Sequence, residues 1–473
     1  MSTGKAVDII SAGKFIRTHW LFVALLVSGI VIRVITSLGY CPALWFWADS
    51  FSYLSSALDL RPLESRPSGY SLFLAPFRSV VALVTVQHLL GLGIAACLYA
   101  VLRRRTFLPA WAAALATAPV LLDAYQIQLE HLVMADLLFT FLVVGGVTLL
   151  LLNPRSWTMV ITAFLLLAFS AMTRTLGLPL IGVAAVWLLI ARAGWRRVLA
   201  GAGAAGVAVA GYAFWYNAAY GSYGLGSSSV WLWSRTMTFA DCGRMDPPEN
   251  LKVLCPDIGP RLAAPAYIWD PQSPIMKTGK QRDEMASEFS MLALRSQPLD
   301  FLTTGLGDAM WAFRWDRVVY PSPGTQSAYQ FPESVKPLTD KLASAGRSAP
   351  ELMIQYQGSR ADTQVVEPFA SWTRAYQRHV YLRGPLLGAI FVCTFLVMII
   401  RFRAATLLPL GFALTLLLLP PLVAAFDHRY VVPVVPFACL AAACAVGWRS
   451  PASNVQRDQD RKERVPARRA AHA

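Results

Sequence analysis

Charge is scarce in this chain. Asp, Glu, Lys and Arg make up 15% of its 473 residues, against roughly a quarter in a soluble domain. Acidic residues are the scarcer kind, 27 against 42 basic ones, and histidine occurs only six times. So few histidines argue against a His-rich metal site. HExxH, GxSxG and the Walker A pattern are absent, which removes the usual signatures of zinc hydrolases, serine hydrolases and P-loop nucleotide enzymes. What is abundant is apolar: 56% of residues are hydrophobic and the mean hydropathy is +0.47. This is a membrane-protein composition. The formal charge of +15 does not indicate nucleic acid, because the basic residues sit in short clusters at the ends of apolar runs, as cytoplasmic loops do.

The apolar runs fall near 20–38, 80–102, 107–122, 132–152, 157–172, 176–191, 198–216, 384–400, 404–425 and 430–448. Each is close to the length that crosses ~30 Å of hydrocarbon at ~1.5 Å per residue. They predict an all-α polytopic membrane protein of about ten transmembrane helices. The first run is long enough to span and has no small-residue cleavage site after it, so no cleavable signal peptide is expected. With the N-terminus inside, the inner connections are Arg103-Arg104-Arg105, Asn153-Pro154-Arg155, Arg192 to Arg197, Arg401 to Arg403 and the tail from Arg449. The outer ones carry Asp123, Glu130 and Asp136, then Arg174, then Asp427-His428-Arg429. Positive-inside reasoning therefore places both termini in the cytoplasm of a multi-pass plasma (inner) membrane protein. Losing one helix would reverse every later loop and spoil the pattern.

The chain divides into a cytoplasmic N-terminus (1–19), helices one to seven with a first outer loop at 39–79 (20–216), an extracytoplasmic loop domain (217–383), helices eight to ten (384–448) and a basic cytoplasmic tail (449–473). Within the large outer segment, 281–296 and 299–315 are predicted amphipathic helices, and 321–362 reads as mostly loop. The tail is polar enough to be disordered. Cys97, Cys393, Cys439 and Cys444 fall in spans as packing residues. Cys242 and Cys255 flank a short Pro-containing loop on the oxidising side, where a disulfide is expected. Gly201-Ala-Gly-Ala-Ala-Gly206 matches GxGxxG letter for letter but leads from an Arg-flanked end straight into a span. Close helix packing explains it better than a dinucleotide site. Trp231, Trp233 and Trp269 read as core or membrane-interface residues, with sugar stacking as the alternative.

Ionisable groups at membrane depth are costly, so each is a functional candidate. On the outer face these are Arg33, Asp49 with Tyr53, Arg66 with Tyr70, Glu130-His131, Asp136, Arg174, and the run Asp427-His428-Arg429-Tyr430. Singly, each is also an interfacial anchor. Together, Arg33, Arg174 and Arg429 are three permanent cations at outer helix ends, and arginine forks bind phosphate bidentately. An aspartate beside them can take a proton from an attacking hydroxyl. ATP and nucleotide sugars are not normally available outside the membrane, so a lipid-linked phosphate is the natural donor.

In order and sidedness these residues resemble the GT-C superfamily of integral-membrane glycosyltransferases, in the branch of protein O-mannosyltransferases and lipid A aminoarabinose transferases. The matching pieces are Arg33, then Asp49 and Tyr53, then Arg66 to Phe73 (RPSGYSLF), LEHLVMADLLF at the start of helix four, Thr173-Arg174, and DHRYVVPVVP from Asp427. The large loop, with FADC…LCP, is similar to that of actinobacterial members. The resemblance implies a polyprenyl-monophosphate sugar donor, an outward-facing cavity, Asp49 as catalytic base, and donor-phosphate contacts from Arg174 and Arg429. Two departures stand out. The family often has paired acids where Asp49 is followed by Ser50, and usually Glu where Asp136 stands. A lone carboxylate binds a divalent cation weakly, so metal participation stays open, and Asp59 or Glu64 are alternative bases.

The expected function is therefore transfer of a sugar to an extracytoplasmic glycan, lipid or protein hydroxyl. The competing readings are an oligosaccharide ligase or polymerase with a pyrophosphate-linked donor, and a lipid or solute transporter. The latter would show inverted repeats or paired broken helices. The expected partners are the lipid donor, the acceptor and the bilayer, with no nucleic acid.

Overall fold

The computed structural model describes residues 3–226, 229–256 and 261–449. The tail expected to be disordered beyond 450 lies outside the described residues. The chain is mostly helical. Helix α1 (Thr3–Gly39) is apolar enough to cross a membrane from Arg17 onward and runs into a short strand, β1 (Tyr40–Cys41). The loop at 39–79 holds α2 (Trp47–Asp59) and α3 (Gly69–Leu74). Helix α4 (Val80–Arg105) starts at Ser79, whose hydroxyl accepts from the Ala82 N–H, and ends in three arginines. Both ends suit the helix dipole and its orphan backbone groups.

The expected span at 107–122 is not one helix. It is broken into α5 (Ala110–Leu115) and α6 (Ala118–Leu122). The break has two local causes: the Thr117 hydroxyl donates to the Ala114 carbonyl, and Pro119 has no N–H to continue the ladder. Helix α7 (Ala124–His131) leads to α8 (Asp136–Leu152), α9 (Trp157–Thr173), α10 (Gly177–Ile190) and α11 (Trp195–Tyr220).

The outer segment begins with α12 (Ser229–Thr236), α13 (Cys242–Met245) and α14 (Ala264–Trp269). The two amphipathic helices follow as α15 (Arg282–Ser296) and α16 (Pro298–Ala309), the latter ending in a 3-10 turn. Cys242 and Cys255 form the disulfide, with Cα atoms 6.1 Å apart, beside a small core that includes Trp233 and Phe289. Trp233 is thus core, Trp231 is partly buried, and Trp269 is exposed.

After α17 (Pro323–Ser327), the stretch read as loop contains ordered elements. A hairpin of β2 (Leu342–Ser344) and β3 (Arg347–Ser348) turns on Ala345 and Gly346, both at positive φ. It feeds α18 (Ala349–Gln357), closed by a capping box between Ser348 and Glu351. That S-x-x-E signal is a helix start visible in sequence. Strand β4 (Gln364–Val365) pairs antiparallel with β1, tying the end of the outer segment to the end of α1. The chain then returns through α19 (Phe369–His379), α20 (Gly384–Ile400), α21 (Ala404–Val423), α22 (His428–Val431) and α23 (Val434–Gly447).

Every one of the ten apolar segments contains helix. Five helices are long and apolar enough to cross a membrane, or six if the bent pair α19 and α20 is one span. Helices α8, α9, α11, α21 and α23 pack on one another around the largest core. The outward faces of α11 and α20 leave Val207, Phe214, Val392 and Ile399 exposed. Apolar rows of that kind suit lipid and not water.

Candidate active site

The first outer loop is stitched to the chain that enters α8. Leu44 N–H donates to the His131 carbonyl at 3.0 Å, and Val133 N–H donates to the Leu44 carbonyl at 3.2 Å. Ser50 accepts from Phe46 N–H at 2.9 Å and donates to the Val133 carbonyl at 2.9 Å. These bonds fix the first turn of α2, and with it Asp49, against the segment at 131–133 that leads to Asp136. Trp47 opens α2 with φ at 39°, a left-handed conformation that costs a bulky residue on the order of 1–3 kcal/mol. The strain lies two residues before Asp49.

Three aspartates stand at helix starts. Asp49 is in the first turn of α2, Asp136 opens α8, and Asp427 caps α22 by accepting from the Arg429 N–H. A helix N-terminus favours a carboxylate. Each aspartate holds one arginine. Arg66 meets Asp49 at 2.7 Å, Arg174 meets Asp136, and Arg429 lies 3.2 Å from Asp427. Arg174 itself caps the C-terminus of α9, the end that favours a cation.

Aromatic rings join the pairs into one site. Arg66 lies over the Tyr53 ring, 5.7 Å from its centre. Arg174 and Arg429 flank the same ring, that of Tyr430, at 4.7 and 5.1 Å. Arg429 also faces Phe46 at 5.2 Å, three residues before Asp49. Tyr53 feels the charges of Arg66, Asp49, Arg174 and Asp136 alike. Asp136 is 2% exposed, whereas Asp49 and Arg66 remain 21% and 18% exposed. The arrangement therefore offers an accessible carboxylate beside arginine forks that still have N–H groups to donate.

Phe46 and Tyr329 carry part of this site and were not singled out in the sequence. Tyr329 donates to Asp427 at 2.7 Å. Burial holds its phenol well above the usual tyrosine range, so it stays a donor. It comes from the large outer segment, where one tyrosine among many carries no sequence signal. Gly69, in RPSGY, has a clearer reason. A Cβ there would lie 2.7 Å from the Met172 carbonyl, so only glycine lets α3 touch the end of α9 just before Arg174.

Other expected site residues have other partners, although Tyr70 packs edge-on against Tyr53 at 5.1 Å. Arg33 is 3% exposed and makes a two-pronged pair with Glu130, both bonds at 2.7 Å, and donates to the Gly29 and Leu121 carbonyls. It has no fork left for a phosphate. His88 bridges Glu130 at 2.9 Å and His131 at 3.1 Å, and His131 donates to the Tyr40 carbonyl at 2.6 Å. Tyr70 is fully buried and donates to Gln87. His428 contacts the Val318 carbonyl and packs edge-on against Phe426. Asp59, ten residues along α2 and so about 15 Å from Asp49, is paired with Arg347. Glu64 is exposed.

A resident divalent cation does not fit these residues. Hard cations want several converging oxygens, whereas Asp49, Asp136 and Asp427 are each engaged by an arginine. Among the described residues no three His, Cys, Asp or Glu side chains converge on a point.

Comparison of the fold with solved structures returns several similar chains. The chain is similar to the Saccharomyces cerevisiae protein O-mannosyltransferase Pmt1-Pmt2 complex bound to the sugar donor (15% identity, 50% of this chain and 37% of that one, TM-score 0.34). It is similar to ArnT from Cupriavidus metallidurans in the apo state (14% identity, 89% and 59%, TM-score 0.39). It is also similar to the Archaeoglobus fulgidus oligosaccharyltransferase in the apo form (12% identity, 90% and 50%, TM-score 0.42). The chain spans less than two thirds of the length of each of these, and at these TM-scores the likeness carries no functional argument. No protein-family model and no curated protein sequence matches the chain.

Two outcomes test the buried network. Replacing Arg33 with Met leaves the buried Glu130 with only His88 and Gln126 as partners, a loss of up to about 3–5 kcal/mol. The double change Arg33→Met with Glu130→Met recovers most of it, as read by thermal unfolding in detergent. The second outcome concerns acid. Burial first, and the charge of His88 second, lower His131 to about 3. The unfolded chain protonates this residue below its ordinary pKa of about 6.5, while the folded chain does not until about 3. Stability is therefore fully present above pH ~6.5 and falls as pH drops toward 3, with a slope of at most ~1.4 kcal/mol per unit. His131→Gln, which keeps a donor and an acceptor, flattens that slope.

Proposed function

We propose that this protein is an integral-membrane glycosyltransferase that moves a sugar from a polyprenyl-monophosphate donor to a hydroxyl on an extracytoplasmic glycan, lipid or protein. The observation that carries the reading is the convergence of Asp49, Arg66, Arg174 and Arg429 at one end of the helix bundle, around shared aromatic rings. In this reading ten crossings place both termini inside and the site outside, with the domain limits at 19, 216, 383 and 448. The shorter helices α8, α9 and α10 cross with the longer ones, and α5 and α6 together form a broken third crossing.

Asp49 is the base. One carboxylate oxygen is held by Arg66 and the other accepts the proton of the acceptor hydroxyl. The hydroxyl oxygen bonds to the anomeric carbon from the face opposite the phosphate, and the bond from that carbon to the phosphate oxygen breaks. The departing phosphate gains charge, which Arg174 and Arg429 stabilise as fixed cations in a site poor in water. Arg66 takes the place that Arg33 has in the sequence-based expectation, because Arg33 is committed to Glu130. The aspartate partners hold the arginine forks in place before the donor arrives.

Asp49→Asn lowers kcat by roughly 10²–10⁴ in a transfer assay with polyprenyl-phosphate sugar, with thermal stability and lipid-phosphate binding kept. Full activity in that variant would remove Asp49 as the base. Arg429→Lys keeps the charge beside Asp427 but loses the fork. It raises the KM for the lipid donor about tenfold, with stability changed by less than about 1 kcal/mol. An unchanged KM would take Arg429 out of the donor site.

A further inference from the structure

The other end of the bundle holds a second feature that the proposed activity does not use. Where α4, α8, α10, α21 and α23 end or begin, they border an open cavity of about 810 Å³ lined by Arg105, Arg155, Arg401, Arg403 and Arg449. Helix α8 runs from Asp136 in the candidate active site to Leu152 on this cavity. At ~1.5 Å per residue the two lie about 24 Å apart.

These arginines differ from those around Asp49. Among the described residues none of the five has a carboxylate partner. The Nε atoms of Arg105 and Arg449 are buried and have no hydrogen-bond partner, which is costly for a charged donor. The two guanidiniums also feel each other's like charge. A snorkelling arginine would point alone toward the headgroups, whereas here five line one space.

The rim is built and not loose. Arg449 N–H donates to the Arg105 carbonyl at 2.9 Å, and Phe107 N–H donates to the Gly447 carbonyl at 2.7 Å. Arg105 is stacked over Trp448 at 5.2 Å and Arg449 over Phe107 at 5.4 Å, while Arg403 donates to the Trp448 carbonyl. The remaining wall is apolar: Leu151, Leu152, Trp187 and Phe402. Trp187 uses its indole N–H on the Ala404 carbonyl and so presents only ring surface. Beside Arg401, the exposed Ile399, Ile400 and Phe402 continue this apolar surface outward.

Unpaired arginine forks call for a phosphate, and the volume and apolar wall are far more than a lone phosphate ion requires. We propose that this cavity binds the phosphate headgroup of an anionic glycerophospholipid from the leaflet at that end of the bundle, with acyl chains lying along Leu152 and Phe402. Basic pockets between membrane helices bind anionic headgroups in this way. The proposal is independent of the reaction assigned to Asp49.

The test uses the full chain in detergent, with dioleoylphosphatidylglycerol, dioleoylphosphatidylcholine and inorganic phosphate as probes. Native mass spectrometry reads retained lipid and thermal unfolding reads stabilisation. Phosphatidylglycerol is expected to be retained and to stabilise the protein at concentrations where phosphatidylcholine does neither. Two double variants, R403Q/R449Q and R155Q/R401Q, each weaken that binding roughly 25-fold, at about a fivefold loss per charge. The second pair consists of exposed side chains that make no hydrogen bond among the described residues, so its fold is kept even if the first pair's is not. Equal retention of phosphatidylcholine, or unchanged affinity in R155Q/R401Q, would overturn the proposal. Stabilisation by inorganic phosphate without lipid retention would also overturn it, in favour of a soluble phosphate ligand.

Discussion

An arginine inside a protein of this kind needs an anion beside it, because its charge cannot be given up and its desolvation is costly. Much of the structure at one end of the bundle follows from meeting that need. Arg33 in α1 takes Glu130 from α7, Arg174 at the end of α9 takes Asp136 at the start of α8, and Arg66 and Arg429 take Asp49 and Asp427. The carboxylates of the last three pairs stand at helix starts, where the backbone dipole already favours negative charge. The pairs thus join elements far apart in sequence, and they leave cations fixed in place at a surface open to a ligand.

The four pairs divide by exposure into two kinds. Arg33 and Glu130 are sealed, further braced by His88 and His131, and hold helices together. Gly91 shows how tightly: a Cβ there would lie 1.9 Å from the Glu130 carboxylate. The pairs of Arg66, Arg174 and Arg429 keep partial access and share aromatic rings. The first kind sets architecture, and the second is the one the proposed reaction uses. At the far end five arginines line one cavity with no carboxylate partner among the described residues. The same physics that completes one end underlies the lipid headgroup proposed for the other.

Much of this was legible in the chain alone. Apolar runs of near-constant length, with basic clusters at alternate ends, located helix in all ten segments because burying backbone in hydrocarbon leaves few other choices. Cys242 and Cys255 were paired correctly from spacing and sidedness. The capping box at Ser348 and Glu351 was also present in the letters, yet the surrounding Gly, Ser and Pro outweighed it, so α18 was read as loop. The break at Thr117 and Pro119 was masked by the apolar residues around it.

The candidate site residues divide by partner in a way their positions along the chain do not show. Residue type and position along the chain determined that Asp49, Arg66, Asp136, Arg174, Asp427 and Arg429 share one end of the bundle, since each stands at the end of a span or in a loop of one sidedness. Sequence could not say which acid each arginine holds. Arg33 and Arg174 look alike in the letters, both arginines at the outer end of an apolar helix. Only tertiary packing sends one to Glu130, sealed among α1, α4 and α7, and leaves the other against Asp136 and Tyr430 with access to a ligand. Partner choice is a matter of a few ångströms between distant segments, and neither hydropathy nor spacing encodes that distance.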